Sequence, residues 1–485
     1  MNELCDNTEE LIRAGRAGEA RALLEKVAPS QIPRPMYARM AELYRRSGLV
    51  DAAIRLLVKV VRPARPLDKP ASPRELCEYA IALVRAGAIA EGREILAKVG
   101  EAEPIANYYL GLTHFPEWNY AAAIPHLEAF IRSSDPGDYM SVVAKANLAS
   151  AFVQIRDQQR AEAIIAEGLV TARERGLRLI LANFLELSAM LALDRRQFDE
   201  SVAKLGDSAE ILKASGLLDE LFAQKWLVLV EAYKTPASAE ALLRPVREKA
   251  RSLSHWETLR DLDHHQAFLA RDPKLYHHLF HGTPHAAYRT YLRGLFAELP
   301  APAATYDWQA IGPGPVFDVR TASYEGNATG VKTGQLLHRL LLELASDFYR
   351  PIRAPSLAAR LFEDQFFDLA TMPNRIHQLV SRLRKALEDD GVGLVIEDTA
   401  GGYRLSSATP LTVRVGEGKA SGAQLKVEKL RAALPVGTFT IKDAADALDC
   451  STSSALRIVN SGIDDGLIER DVIEKRTIYQ FRRVG

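Results

Sequence analysis

Cysteine is scarce: Cys5, Cys77 and Cys450 are the three in a chain of 485 residues. They lie far apart and form no CxxC pair, which argues against a disulfide framework or a cysteine-based zinc site and suits a reducing compartment. A surplus of charge of either sign is also lacking. Lys plus Arg and Asp plus Glu both number 62, so no global field draws the chain to nucleic acid, and any such interface must rest on local charge. No apolar run approaches the ~20 residues of a membrane span. The acidic start, Met1-Asn2-Glu3-Leu4-Cys5-Asp6, lacks the apolar stretch of a secretory signal. These absences lead to the expectation of a soluble, cytoplasmic protein without a membrane partner. At ~150 residues per domain the length implies about three domains.

What the sequence does contain is a repeat. A turn, a small residue and an amphipathic stretch recur at Gly18-Glu19-Ala20-Arg21-Ala22-Leu23-Leu24 and Asp51-Ala52-Ala53-Ile54-Arg55-Leu56-Leu57. Further copies are centred on Gly92, Ala123, Ala161, Ser201 and Ala239, at intervals of roughly 31 to 40 residues, close to the period of helix-turn-helix repeats. Tyr44, Tyr79, Tyr108 and Phe152 precede the turns as first-helix core positions. The unit Tyr37…Leu43-Tyr44…Gly48…Ala52-Ala53 resembles the tetratricopeptide (TPR) superfamily, over residues 1–298 taken as one repeat domain. That resemblance implies stacked helix pairs with a groove that binds a peptide, a protein or another copy of the chain.

The pattern changes at two Pro/Gly-rich phrases, Leu299-Pro300-Ala301-Pro302 and Gly312-Pro313-Gly314-Pro315, so residues 299–315 are expected to be a linker. Strands, three helices (332–348, 354–362 and 373–387) and a hairpin (394–405) are expected next. In the third helix Ile376, Val380, Leu383 and Leu387 form one apolar stripe. At about 100° per residue, Asn374, Gln378, Ser381 and Lys385 lie opposite it, with Arg375 and Arg382 on one flank and His377 and Arg384 on the other. Short hydrogen-bonding side chains facing base edges and cations facing phosphates are what a DNA-recognition helix needs. The segment Asn374–Leu387, followed by Ile396…Gly401-Gly402-Tyr403-Arg404-Leu405, resembles the OmpR/PhoB-type winged-helix domain, over residues 316–406. The resemblance implies binding of double-stranded DNA, with Arg382 and Arg384 at family contact positions and Arg404 on the wing. No phospho-receiver domain precedes it, so phosphorylation of an Asp is not the expected switch.

Residues 407–422 are expected to be a second linker, and 423–485 a second winged helix-turn-helix domain. There a helix over 425–434, a helix over 441–448, a helix running from Ser451 to about Asp465, and a hairpin at 467–470 and 477–482 are similar to generic bacterial modules of that kind. Ala455, Val459 and Ile463 face inward, while Ser453, Ser454, Arg457 and Ser461 face away. Residues 311–485 hold 23 Lys/Arg against 22 Asp/Glu, so selective binding with modest non-specific affinity is expected.

Two decoys deserve weighing. Gly326-Asn327-Ala328-Thr329-Gly330-Val331-Lys332-Thr333 has the wrong spacing for a phosphate-binding loop. Seven histidines between His255 and His285 include His277 and His281 at metal-ligand spacing, but no HExxH accompanies them. A hydrated or partly packed histidine surface is expected, with no metal, cofactor or catalytic residue. The fold class expected is mainly α: a TPR-like superhelix followed by two small α+β winged-helix domains. The function expected is a DNA-binding transcriptional regulator, a homodimer through its helical part. The alternative is a protein-interaction scaffold, or a DNA-binding regulatory subunit of a larger defence or DNA-processing complex.

Overall fold

A computed structural model describes residues 1–485 except 66–68, 214–216, 363–364, 400–401, 417–426, 428–429, 432, 435–436, 449, 465, 474–475 and 483–485. The chain forms two compact units. The first comprises Met1–Leu279, His285–Pro300 and Ala358–Pro373, and the second Phe280–Pro284, Ala301–Leu357 and Asn374–Gly485.

The first unit is an array of helix pairs. Asn2–Arg13 pairs with Ala17–Leu24, Tyr37–Arg46 with Val50–Val61, Pro73–Ala86 with Ile89–Val99, and Ile105–His114 with Tyr120–Ser133. Tyr139–Gln154 pairs with Gln158–Glu174, Arg178–Asp194 with Phe198–Leu212, and Leu217–Lys234 with Ala239–Ser252; Trp256–Ala270 and Ala286–Leu295 follow. Each pair also packs on the next, so one apolar core runs from Cys77 to Leu191 without interruption. The seven small residues Ala20, Ala53, Gly92, Ala123, Ala161, Ser201 and Ala239 are all buried, each on the second helix of its pair. Gly92 shows why size matters there: a Cβ would lie 2.6 Å from the Ala80 carbonyl oxygen. Tyr44, Tyr79, Tyr108 and Phe152 are buried on the facing first helices.

Five residues before six of those small positions, the backbone turns left-handed to start the second helix. Gly15, Gly48 and Gly87 do so at φ 80°, 83° and 110°, and Trp118, Arg156 and Arg196 at 59°, 61° and 61°. Glycine takes that conformation freely, whereas a residue with a Cβ loses about 1–2 kcal/mol.

The second unit begins with a five-stranded sheet, ordered β1-β7-β2-β3-β4, from β1 (Thr305–Gln309), β2 (Val316–Asp318), β3 (Ser323–Tyr324), β4 (Asn327–Ala328) and β7 (Thr412–Gly416). Strand β7 runs antiparallel to β1, with Trp308 opposite Val413, and parallel to β2. Both stretches expected to be linkers, 299–315 and 407–422, therefore contribute a strand. Their Pro and Gly residues punctuate short alternating segments, and an Asp307–Arg414 ion pair at 2.8 Å ties the two together. Residues 417–422 of the second stretch lie outside the described residues.

Helices Leu336–Leu344, Ala354–Leu361 and Met372–Asp389 lead to a hairpin of β5 (Leu394–Thr399) and β6 (Gly402–Ser407). The first helix starts later than residue 332 because Gly334 is left-handed at φ 76°, and it ends at Leu344. There His338 accepts the Gly334 N–H at 2.9 Å and donates to the Val319 carbonyl at 2.7 Å. In the hairpin turn, Ala400 and Gly401 lie outside the described residues. Gly402, at φ 133°, permits a close approach to Ile352, whose carbonyl oxygen would be 2.3 Å from a Cβ.

A three-stranded sheet ordered β8-β10-β9 closes the chain, from β8 (Thr438–Phe439), β9 (Ile468–Ile473) and β10 (Arg476–Phe481), beside helices Ile441–Leu448 and Thr452–Asp464. Phe439, Ala444, Ala455, Val459, Ile468 and Tyr479 belong to its core. Residues 425–426, 428–429 and 432 of the helix expected over 425–434, and Asp465, lie outside the described residues. The chain is mainly α, a TPR-like superhelix followed by small α+β parts, which is the class its repeat and its change of pattern predict.

Candidate functional site

The helix Met372–Asp389 buries Ile376, Leu379, Val380, Leu383 and Leu387, one apolar stripe at helical spacing. The opposite side presents Asn374, His377, Gln378, Ser381, Arg382 and Lys385, all exposed, with Arg375 and Arg384 half-buried on the shoulders. The face expected from the sequence is therefore assembled, but its cations are not equivalent. Arg384 donates from Nε and Nη2 to the Ile396 carbonyl, at 3.0 and 2.6 Å, and from Nη2 to Asp398 at 2.7 Å. It fastens the helix to β5. Arg404 pairs with Glu397, its partner across the hairpin, at 2.6 Å. The ring of His377 is hydrogen-bonded to the hydroxyl of Tyr403 on β6. Arg382 and Lys385 make no ion pair among the described residues. Two of the expected contact residues, Arg384 and His377, thus hold helix to hairpin, and a third, Arg404, ties the hairpin strands together, which sequence spacing alone does not reveal.

In the last part of the chain Ser453 and Arg457 are exposed and Ser454 half-buried. Ser451 accepts the Ser454 N–H at 3.2 Å as helix cap, and Arg457 donates to the Ser454 hydroxyl at 3.3 Å. Ala455 and Val459 are buried and Ile463 is half-buried, as expected; the Ser461 side chain lies outside the description.

A second candidate site lies within the array and was not apparent from the sequence. Of the six left-handed positions that precede the second helices, the three that are not glycine all meet aromatic rings. Trp118 lies 4.5 Å from Tyr288, Arg156 stands over Tyr291 at 5.9 Å, and Arg196 over Tyr233 at 5.0 Å. Strained backbone of this kind clusters at functional sites. The spacing signal was present, five residues ahead of six of the seven small positions, where the first three repeats carry glycine.

Around these rings sit Asp261, His264 and His265. Tyr233 is hydrogen-bonded to His265 at 2.9 Å, and Lys225 donates to Asp261 at 2.7 Å. Burial works against the Asp261 charge, but Lys225 and His265 hold its carboxyl down at about 2. Burial, reinforced by neighbouring His265, holds the His264 imidazole at about 3. His264 and His281 are buried, so part of the expected histidine surface is packed interior. Among the described residues no group of three His, Cys, Asp or Glu could hold a metal ion, and no helix is long and apolar enough to cross a membrane.

No family model matches the chain, and no curated protein matches it. Solved structures with similarity include a Rap protein complexed with competence and sporulation factor, at 10% identity and TM-score 0.42 over 79% of this chain and 98% of that one. The C-terminal part of a TPR repeat-containing protein from Cytophaga hutchinsonii matches at 15% identity and TM-score 0.29, over 56% and 97%. A human IFIT1 dimer with m7Gppp-AAAA matches at 11% identity and TM-score 0.31, over 93% and 87%.

Proposed function

We propose that this protein is a transcriptional regulator in which the helical array receives a peptide or protein partner and the C-terminal third binds double-stranded DNA. The observation that carries the DNA part is the face of Met372–Asp389. Gln378, Ser381, Arg382 and Lys385 stand exposed on a helix whose opposite stripe is buried and whose flank is clamped to a hairpin. A rigid helix with short hydrogen-bonding groups at its centre and free cations beside them suits base-edge and phosphate contacts, as in an OmpR/PhoB-type winged helix. The last part, with Arg457 as its exposed cation on Thr452–Asp464, is a weaker second contact, and a homodimer through the array would present both parts twice. The test is DNA affinity on a selected genomic fragment. Gln378→Ala or Arg382→Ala should lose about 1–3 kcal/mol, with thermal stability unchanged because neither side chain is buried. Unchanged affinity in both variants removes this helix from recognition, and light scattering on the full chain tests the dimer.

A second reading, a protein-interaction scaffold or the regulatory subunit of a larger complex, is favoured by a different observation. Arg384 and Arg404 are held by Asp398 and Glu397, which lowers the number of cations able to meet phosphates. Absence of any salt-dependent retention of duplex DNA by the full chain selects that reading.

A further inference from the structure

The array carries a notch that neither candidate site uses. Arg62, at the end of helix Val50–Val61, forms an ion pair with Glu91 on helix Ile89–Val99. Both are largely covered, with side chains 24% and 15% exposed. Between them they hold a short stretch of this chain from Ala358–Pro373, which belongs to the same compact unit. The Phe367 N–H donates to Glu91 at 2.8 Å, and Arg62 donates to the Phe367 carbonyl at 3.3 Å. This is a two-sided main-chain clamp. The Phe367 side chain is buried at 3% exposure, whereas the Phe366 ring is 72% exposed and lies 4.2 Å under the Arg62 guanidinium. Asp368 follows within the field of Arg62 and turns the backbone by accepting the Ala370 N–H at 2.9 Å. Beneath, Tyr79 is fully buried with its ring 5.5 Å from Arg62, and its hydroxyl has no hydrogen-bond partner among the described residues.

We propose that the Arg62–Glu91 notch is a peptide-docking site, that Phe366-Phe367-Asp368 is its resident occupant, and that the external partner is a peptide with two consecutive aromatic residues followed by a carboxylate. The proposal deepens the reading of the array as a peptide-binding element. The chemistry of the occupant defines the partner. A backbone N–H must meet Glu91 and a carbonyl must meet Arg62; one aromatic ring must be buried, and a second must stack beneath the guanidinium. The resident segment fits these demands and, among the described residues, leaves the Tyr79 hydroxyl unpaired, so a competitor that brings an acceptor to it has an advantage. Residues 365–371 lead directly into Met372–Asp389, so a partner that displaces them releases the chain at the entrance to that helix.

The probe is a fluorescent peptide of residues 365–371, Gln-Phe-Phe-Asp-Leu-Ala-Thr, titrated into the full-length protein. A tethered occupant acts at an effective concentration on the order of 1 mM, so a free peptide whose intrinsic Kd is about a tenth of that is weakened about tenfold. Phe367→Ala in the full chain should therefore bind the peptide about tenfold more tightly than the wild type, and adding Arg62→Ala should abolish that binding. A Phe367→Ala chain with unchanged circular dichroism and Tm that binds no better than the wild type overturns the proposal.

Hydrogen exchange on the wild-type chain keeps the test open if that variant fails to fold. Saturating unlabelled peptide should speed exchange at the Phe367 amide, and an unchanged rate also overturns the proposal. Arg156→Ala, in the turn cluster, is the control. Loss of peptide binding there but not with Arg62→Ala overturns the notch while preserving the array as a peptide binder. No DNA enters the assay, so failure of the DNA reading leaves the result intact.

Discussion

Arg384→Ala separates the two roles that a cation on Met372–Asp389 can have. Its guanidinium donates twice to one carbonyl, Ile396, and once to Asp398. A hydrogen bond from a charged donor contributes about 1.5–3 kcal/mol; the two bonds to Ile396 share an acceptor and count once. Asp398 is 65% exposed, so the ion pair adds little, about 0–1 kcal/mol. Alanine should therefore destabilise the helix–hairpin contact by about 2 kcal/mol, equivalent to a roughly thirtyfold loss of exchange protection. The readout is hydrogen exchange across β5 and β6 at neutral pH, with DNA affinity measured in parallel. Arg382→Ala is the mirror case, with protection unchanged and affinity reduced. Lys at 384 should recover only part of the protection, because an ammonium group cannot reproduce the planar fork. Protection within twofold of wild type in Arg384→Ala would falsify the assignment of this residue as a fastener and return it to the phosphate-facing set.

Gly92→Ala should destabilise the array by about 1–3 kcal/mol through overpacking, since the new Cβ meets the Ala80 carbonyl oxygen and Val84 at 2.6 Å; an unchanged urea midpoint would mean that the paired helices can separate freely. Arg196→Gly should change stability by less than about 1 kcal/mol, because relief of the left-handed backbone offsets the lost contact over Tyr233; a loss of several kcal/mol refutes the strain argument. Acid should weaken the array before its carboxylates protonate. His264 is held at about 3 in the fold, against about 6.5 unfolded. The unfolded chain therefore binds the extra proton, and stability falls as pH drops from about 6.5 towards 3, by at most about 1.4 kcal/mol per pH unit. Asp261, held at about 2, contributes stability present above about 3.8 and lost as pH falls through about 2. Urea midpoints from pH 7.5 to 4.5 should decline, and His264→Phe should flatten the curve; an equal slope in both chains counts against His264 as the cause.

The helical array was legible because its signal is redundant. Each pair needs a small residue where two helices touch and a large ring facing it, so Ala20, Ala53, Gly92 and Ala123 mark the repeat even where lengths vary. The face of Met372–Asp389 was legible for the same reason: one buried stripe fixes where Gln378, Ser381 and Lys385 must point. Periodicity assigns a direction to a side chain but not a partner. Arg384 and Arg382 are both off the stripe, and only the position of the Ile396 carbonyl on another strand makes one a fastener and leaves the other exposed. Strand β1 was hidden by its flanks, since five alternating residues between prolines look like a linker until Arg414 supplies an ion-pair partner for Asp307 107 positions away.

The same limit explains the notch. Phe366-Phe367 lies outside any periodic stretch, and nothing in the sequence sets Arg62 apart. Their meaning comes from a main-chain clamp formed across 276 residues of sequence, and backbone N–H and carbonyl groups are identical at every non-proline position. An interaction that recognises backbone leaves almost no imprint on residue type. What does leave an imprint is the ring that must be buried beside it. An aromatic pair in the loop before an amphipathic helix is therefore the sequence feature from which such a clamp can be sought.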